Sequence, residues 1–307
     1  MFQCQPTAPV YTPISFVGEG SFGVVMQARD TKGNVVAIKK VKKSERYESR
    51  EMHILQLLNK IPYCIKLLNA FHTIDSEKRV LQNLVFEYLP TSLEKYLGQH
   101  VDEKRYIDYI KIQNIIRQLL LGLKEMHALG ICHRVLKPDN ILMDEDYNIK
   151  ICDFGSSKIL KESEQNITRI VARCYRPPEI AFAHRDYTTA VDMWTVGCII
   201  FELMSLQPAF EASSDGMIFF EHHQLIGNPT QEECDYLFKS VSDGVARDLG
   251  AFLISNKVHR VKISGIHPTI YSEKEREDAG YLIENLLKWK ADERFTAEEC
   301  LKQAFSK

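Results

Sequence analysis

Lys39, Glu51, Asn140 and Asp153 are residue types that handle phosphate and divalent metal, and each stands inside a short patterned block. Upstream of them lies Gly18-Glu19-Gly20-Ser21-Phe22-Gly23-Val24-Val25, which fits G-x-G-x-x-G-x-V. Glycines let a hairpin backbone approach a polyphosphate and aim amide groups at it. Alone, G-x-G-x-x-G also marks a tight turn or a dinucleotide fold, but the dinucleotide fold needs a helix opening at the glycines. Here β-formers continue through Val24 and Val25. Val36-Ala37-Ile38-Lys39 follows at strand spacing and brings an ammonium group to the same phosphates. Glu51, twelve residues on, can pair with Lys39 and fix it. Further along come His133-Arg134-Val135-Leu136-Lys137-Pro138-Asp139-Asn140 and, thirteen residues after Asn140, Asp153-Phe154-Gly155.

These blocks need elements to position them. Ile14–Val25 and Asn34–Val41 run in β-formers around the turn-like Asp30-Thr31-Lys32-Gly33-Asn34, which predicts a hairpin. Ser44–Asn59 is charged at first and then carries Met52, Ile54, Leu55 and Leu58 at helical spacing, which predicts one amphipathic helix. Ile65–Thr73 and Val80–Tyr88 read as two further strands. Beyond Tyr88-Leu89-Pro90 the pattern turns helical. Ile112, Ile116, Leu119, Leu123 and Met126 predict a long buried helix that stops near Gly130. Val191–Met204 is nearly continuous in apolar residues, as in a helix inside a large lobe. Asp278–Trp289 and Thr296–Ala304 predict two more helices. The expected fold class is α+β and bilobal, with a small β-rich N-lobe over 14–88, a large α-helical C-lobe over 89–307, and a loosely held extension over 1–13.

Bulk properties narrow the function classes. A chain of 307 residues, 45% hydrophobic, can bury a large core divided between two lobes. A formal charge of -2 makes no global electrostatic case for nucleic acid or an acidic membrane. No 18-residue apolar run occurs, and Met1–Pro13 lacks the pattern of a signal peptide, so neither nucleic acid nor membrane is expected as a partner. The eight cysteines form no C-x-x-C pair, and several sit in apolar runs as expected of buried free thiols. A reducing compartment is expected, cytoplasmic with the nucleus also open. Asn166-Ile167-Thr168 matches a glycosylation sequon and is read as chance in such a setting.

Taken together, the blocks resemble a eukaryotic protein kinase over essentially the whole chain. Arg173-Cys174-Tyr175-Arg176-Pro177-Pro178-Glu179 resembles the segment that closes the activation loop, with Pro177 where alanine is usual. Asp192-Met193-Trp194-Thr195-Val196-Gly197 resembles the buried helix whose aspartate anchors the catalytic-loop backbone. Arg294, in Asp292-Glu293-Arg294-Phe295, matches the arginine that pairs with Glu179. Within the CMGC group the chain is most similar to the glycogen synthase kinase 3 family, through Gly20-Ser21-Phe22-Gly23-Val24-Val25, Gly130-Ile131-Cys132-His133-Arg134 and Cys152-Asp153-Phe154-Gly155-Ser156-Ser157-Lys158.

The resemblance implies an ATP cleft between the lobes, with ATP and Mg2+ as cofactors and protein substrates or phosphorylated proteins as partners. Val17, Gly18, Gly20 and Gly23 would cover the nucleotide, and Val25, Ala37 and Leu142 would sandwich the adenine. Phe86 would line the back of the pocket, with Glu87 and Leu89 offering backbone groups. Lys39, held by Glu51, would meet the α- and β-phosphates. Asp153 would bind the magnesium bridging the phosphates, Asn140 the second metal, and Lys137 would place charge on the transferring phosphoryl group. Arg50, Arg134 and Lys158 match three basic residues that form a pocket for a phosphate already on the substrate, four residues beyond the target Ser/Thr. Two guanidinium forks and an ammonium suit a dianion. The family's activation-loop tyrosine aligns with Arg169, and Phe219–Ile263, where the family binds scaffold proteins, is too divergent to carry over a partner residue.

Val135 stands where the signature H-R-D-L-x-x-x-N has the aspartate that orients the substrate hydroxyl. Valine has no proton acceptor, and loss of a positioned general base costs roughly 10²–10⁴ in rate. The expectation is a Ser/Thr protein kinase fold that binds Mg-ATP, with phosphotransfer impaired or absent, pseudokinase-like and docking primed phosphoproteins. The alternative is an active Ser/Thr kinase that transfers the γ-phosphate to primed substrates with a substituted base, for which Asp139 is the candidate. A pseudokinase that binds no nucleotide would have no use for Lys39, Asn140 and Asp153.

Overall fold

The computed structural model describes residues 10–20, 23–42, 50–161, 165–168, 171–214 and 217–304. The first lobe is built on an antiparallel sheet of β1 (Thr12–Gly20), β2 (Gly23–Arg29), β3 (Val35–Lys42), β4 (Leu67–Ile74) and β5 (Val80–Glu87). Their order in the sheet is β1-β2-β3-β5-β4. The β2–β3 turn falls where the sequence puts it. Asp30 Oδ1 accepts the backbone amides of Lys32 and Asn34, and Asn34 Nδ2 donates to Oδ2. The Asn34 side chain and these amides hold the Asp30 carboxyl below its usual range.

Three expectations shift at this end of the chain. Ile14–Val25 is two strands, not one run, folded back so that Gly20 pairs with Gly23. β1 also begins at Thr12, inside the expected extension. The cause is tertiary: Tyr11 stacks on Phe71 of β4 with ring centroids 5.6 Å apart, and its hydroxyl accepts from Asn69 Nδ2. The helix expected over Ser44–Asn59 is present as α1 (Arg50–Leu58), which buries Glu51, Met52, Ile54, Leu55 and Leu58. Its first six residues, 44–49, lie outside the described residues, as do 1–9 of the extension, Ser21, Phe22 and Arg169.

The second lobe is helical. It comprises α2 (Leu93–Asp102), α3 (Tyr109–Ala128), α4 (Pro178–Ala181), α5 (Ala190–Ser205), α6 (Ile218–Ile226), α7 (Gln231–Phe238), α8 (Asp243–Ser255), α9 (Glu273–Leu286) and α10 (Ala297–Ala304). Short ladders join β6 (Thr91–Ser92), β8 (Ile141–Met143) and β9 (Ile149–Ile151), and pair β7 (Ile131–Cys132) with β10 (Lys158–Ile159). α3 is capped by Asp108, whose carboxylate accepts from Ile110 and Lys111, and stops just before Gly130, as expected. α9 starts at Glu273, ahead of the expected Asp278, because Ser272 and Glu275 form a capping box there.

One core serves both lobes. Leu55 and Leu58 of α1 join Ile65, Leu84 and Phe154, and the same cluster continues through Leu119, Leu123, Trp194 and Ile199. A smaller cluster of Ala28, Val36, Ile38 and Val85 lies in the sheet. Fully burying each large apolar side chain contributes about 1.5–3 kcal/mol relative to exposure. The core therefore fixes α1, and with it Glu51, against the segment that carries Asp153.

Candidate active site

The glycine-rich hairpin covers one side of the interlobe cleft, and its glycines have different reasons for being glycine. Gly23 adopts φ +141°, and a Cβ there would lie 2.0 Å from the Lys40 carbonyl of β3. Only glycine lets β2 leave the turn so close to its neighbour. Gly18 has open space within 4 Å. No protein contact there requires glycine.

Lys39 and Glu51 meet as expected, Nζ to Oε1 at 2.7 Å, and Lys39 also lies 2.7 Å from Asp153 Oδ1. Lys39 is 8% exposed. Burial opposes its charge, but the Glu51 and Asp153 carboxylates outweigh burial and hold the ammonium above its ordinary value. Asp153 follows β9 with a left-handed backbone, φ 61°. Aspartate tolerates this conformation better than most residues do. The turn delivers its carboxylate to Lys39.

The 3-10 turn Pro138–Asn140 comes after the loop 133–137, which follows β7, and leads into β8. Asn140 is buried, and its Nδ2 donates to the Val135 carbonyl at 2.8 Å. The amide oxygen is then the atom left to face a cation. Asn140 is joined to the Asp153 segment through the backbone, since Cys152 N–H donates to the Asn140 carbonyl at 2.9 Å. His133 Nε2 lies 2.9 Å from the Cys152 carbonyl. Asp192 at the start of α5 accepts the backbone amides of His133 at 2.8 Å and Arg134 at 3.0 Å, and lies 3.0 Å from His127 Nε2. Burial pushes the Asp192 carboxyl up, but the His127 hydrogen bond and the other donors prevail and hold it below its usual range. Val135 is half-buried in this held loop. Lys137 lies 2.9 Å from Asp139 Oδ2, so Asp139, half-exposed at the rim, is an ion-pair partner of the lysine.

A single cleft gathers Gly23, Val25, Ala37, Lys39, Glu51, Phe86, Glu87, Asn140, Leu142 and Asp153. Val17, Gly18, Gly20 and Leu89 are outside its immediate lining: Val17 is 43% exposed, Gly20 ends β1, and Leu89 packs on the core. The sequence reading missed Leu55, Ile65, Cys152 and Phe154, which also line it. Two of these adjoin Asp153, and Leu55 lies one helical turn past Glu51, so adjacency to the expected residues was the available signal.

Arg50, Arg134 and Lys158 stand on neighbouring elements. α1 packs against β10, and Lys158 of β10 pairs in register with Cys132, just before Arg134. Their side chains differ in availability. Arg50 is exposed. Arg134 is 3% exposed, with Nε donating to the Ser156 carbonyl and Nη1 to the Tyr187 hydroxyl at 3.3 Å. Lys158 Nζ donates to Asn166 Oδ1 at 2.7 Å. Asn166 itself is buried, which leaves its amide committed within the fold. The Glu179–Arg294 pair is closed at both oxygens, each at 2.7 Å.

The comparisons agree with this geometry. The family model of the protein kinase domain matches residues 11–306. The chain is 33% identical over 301 residues to the Protein kinase gsk3 of Schizosaccharomyces pombe, an alignment that covers 96% of this chain and 73% of the yeast protein. No helix among the described residues is long and apolar enough to cross a membrane. By its matched length, its bilobal fold and its paired Lys39 and Glu51, the chain belongs to the protein kinase family.

Proposed function

We propose that this chain binds Mg-ATP in the interlobe cleft and transfers phosphate to protein Ser/Thr poorly or not at all. The observation that carries the reading is a contrast between the assembled phosphate-side network and the loop that brings Asn140 to the same cleft. The Lys39–Glu51–Asp153 network is assembled at 2.7 Å, while the loop whose Asn140 bonds the Val135 carbonyl carries an apolar side chain at 135. The donor set fits the cofactor: Asn140 and Asp153 offer hard oxygens suited to magnesium, and Val25, Ala37 and Leu142 offer apolar walls to adenine. When bound, the metal would neutralise phosphate charge. Lys39 would hold the phosphates, and the Asn140 and Asp153 oxygens would orient the ion.

Similarity to the Protein kinase gsk3 of Schizosaccharomyces pombe supports a GSK3-like role, to which a primed-phosphate pocket at Arg50, Arg134 and Lys158 belongs as part of the same proposal. With Arg134 buried and bonded to Ser156 and Tyr187, Arg50 and Lys158 are the members that would meet a phosphate first. The division into N-lobe and C-lobe near Tyr88 and a reducing, cytoplasmic or nuclear setting belong to the same proposal.

The test is paired. Millimolar Mg-ATP should raise the unfolding midpoint, since a ligand of the folded state alone must do so; no rise overturns nucleotide binding. Val135→Asp should raise transfer to a primed peptide by about 10²–10⁴. Robust transfer by the parent chain, abolished by Asp139→Ala, would replace this reading with an active kinase using Asp139 as base.

A further inference from the structure

We infer that Lys150 and Glu87 form a brace behind the adenine site that sets the register between the hinge and the metal-binding Asp153. Both are positioning residues that the site description leaves without a task for their side chains. The inference rests on the nucleotide-binding reading above and assigns side-chain roles within that site.

The geometry is a three-way junction. Glu87 is the last residue of β5, where the chain passes from one lobe to the other. Its carboxylate Oε1 accepts the backbone amide of Lys66 at 2.9 Å, and its own amide donates to the Lys66 carbonyl at 3.3 Å. Lys150 lies in β9, three residues before Asp153, and its Nζ stands 3.4 Å from the same Glu87 oxygen. The Lys150 ammonium also donates to the Pro62 carbonyl. One cation therefore touches the hinge and the connector that follows α1, from a strand of the other lobe.

The backbone around it runs along the same lines. Ile151 N–H donates to the Tyr63 carbonyl at 2.8 Å, and Ile65 N–H donates to the Ile151 carbonyl at 2.9 Å. The residues between α1 and β4 are thus stitched to β9 on one side and to Glu87 on the other. α3 closes the junction from behind, since a Cβ on Gly122 would lie 2.9 Å from Ile151 Cδ1 and 3.0 Å from Tyr63 Cβ. Across the β8–β9 ladder, Lys150 is paired with Leu142, a wall of the adenine site. The side chains involved are partly shielded, with 17% of Lys150 and 27% of Glu87 exposed, so water screens the pair less than it would a surface bridge.

A junction of this kind matters most to a ligand that spans it. Adenosine contacts the hinge side alone, whereas Mg-ATP must reach the hinge and Asp153 at once. Misregister between them penalises the second ligand and spares the first. A merely structural loss would weaken both ligands together and lower the ligand-free midpoint.

The experiment measures affinities for adenosine and for Mg-ATP by titration calorimetry on the full chain. It compares the parent, Lys150→Met, Glu87→Gln, the double variant and Lys150→Arg, with the ligand-free unfolding midpoint of each. Lys150→Met should weaken Mg-ATP about 3- to 10-fold while adenosine stays within about twofold, and Glu87→Gln should weaken Mg-ATP to about the same extent. The double variant should match the singles, and Lys150→Arg should retain the parent's affinity. Parallel losses for both ligands in Lys150→Met, multiplied losses in the double variant, or variants indistinguishable from a parent that binds Mg-ATP would overturn the brace alone. A parent chain that binds neither ligand would overturn the brace together with the proposed function.

Discussion

Lys39 with Glu51 and Asp153, and Arg294 with Glu179, are ion networks of the same closeness, 2.7 Å, yet they differ in how they are finished. Arg294 and Glu179 are sealed, with side-chain exposures of 0% and 1%. Arg294 Nη1 and Nη2 take both Glu179 oxygens and also reach the Ala190 and Lys288 carbonyls, to which Nε adds a further bond. The guanidinium lies 5.0 Å from the Trp194 ring centroid. The Lys39 network instead opens on the cleft, with Asp153 31% exposed. A planar fork locked by five bonds suits a joint that must not move, and an ammonium on a flexible stem suits a contact that must be shared with a ligand. Similar Coulombic attraction thus serves architecture in one place and, in the proposed function, binding in the other.

The largest loss is expected from Arg294→Met. It strands the Glu179 carboxylate where water cannot reach it, and removing one partner of a buried pair costs about 3–5 kcal/mol. Urea unfolding should register a loss of that order. A loss below about 1 kcal/mol, typical of a surface bridge, would mean that the pair is not the sealed joint described.

Lys39→Met tests the other half. Glu51 and Asp153 can recruit water from the cleft, so stability should fall by only about 1 kcal/mol. Nucleotide affinity should fall about ten- to hundredfold, because hydrogen bonds to charged groups contribute about 1.5–3 kcal/mol. Calorimetry with Mg-ATP, run beside urea unfolding, separates the two effects. An Arg294-sized loss of stability with unchanged affinity would reverse the assignment of roles.

The sequence made both networks legible because each member sits in a patterned block: Glu51 a fixed distance from Lys39, Glu179 and Arg294 in segments that resemble known kinase elements. The helices of the second lobe followed from apolar spacing, which is a local signal. What stayed hidden was set by distance in sequence or by chain reversal. Tyr11 starts β1 early by stacking on Phe71, and nothing near Tyr11 announces it. Lys150 stands between Ile149 and Ile151 with no local signal that ties it to Glu87 and Pro62, beside which folding places it. Asp139, weighed as a base, is taken up by Lys137 through a contact that residue types alone do not specify. α7 and α8 lie in a segment whose pattern matched no family block, although the capping box of Thr230 and Glu233 was there to be read.

A further effect concerns how the sealed joint responds to acid. His222 of α6 packs against Trp194 and Phe210 with ring centroids 4.8 and 4.6 Å away, beside the Arg294 network. Burial, and then the positive charge of Arg294, hold its pKa down to about 3. The folded state therefore keeps His222 neutral at pH values where the unfolded chain, titrating near 6.5, takes up a proton. The unfolded state binds more protons across that window, so stability falls as pH drops from about 6.5 towards 3, by about 1.4 kcal/mol for each unit well inside the window. Glu202 acts in the opposite sense, since burial raises its pKa to about 7 and its contribution is present at low pH and lost as pH rises. The difference between the parent and His222→Phe isolates the histidine from that background. Urea unfolding at pH 7 and pH 5 should show a shallower acid loss in the variant, and equal losses in both proteins would place the acid sensitivity elsewhere in the fold.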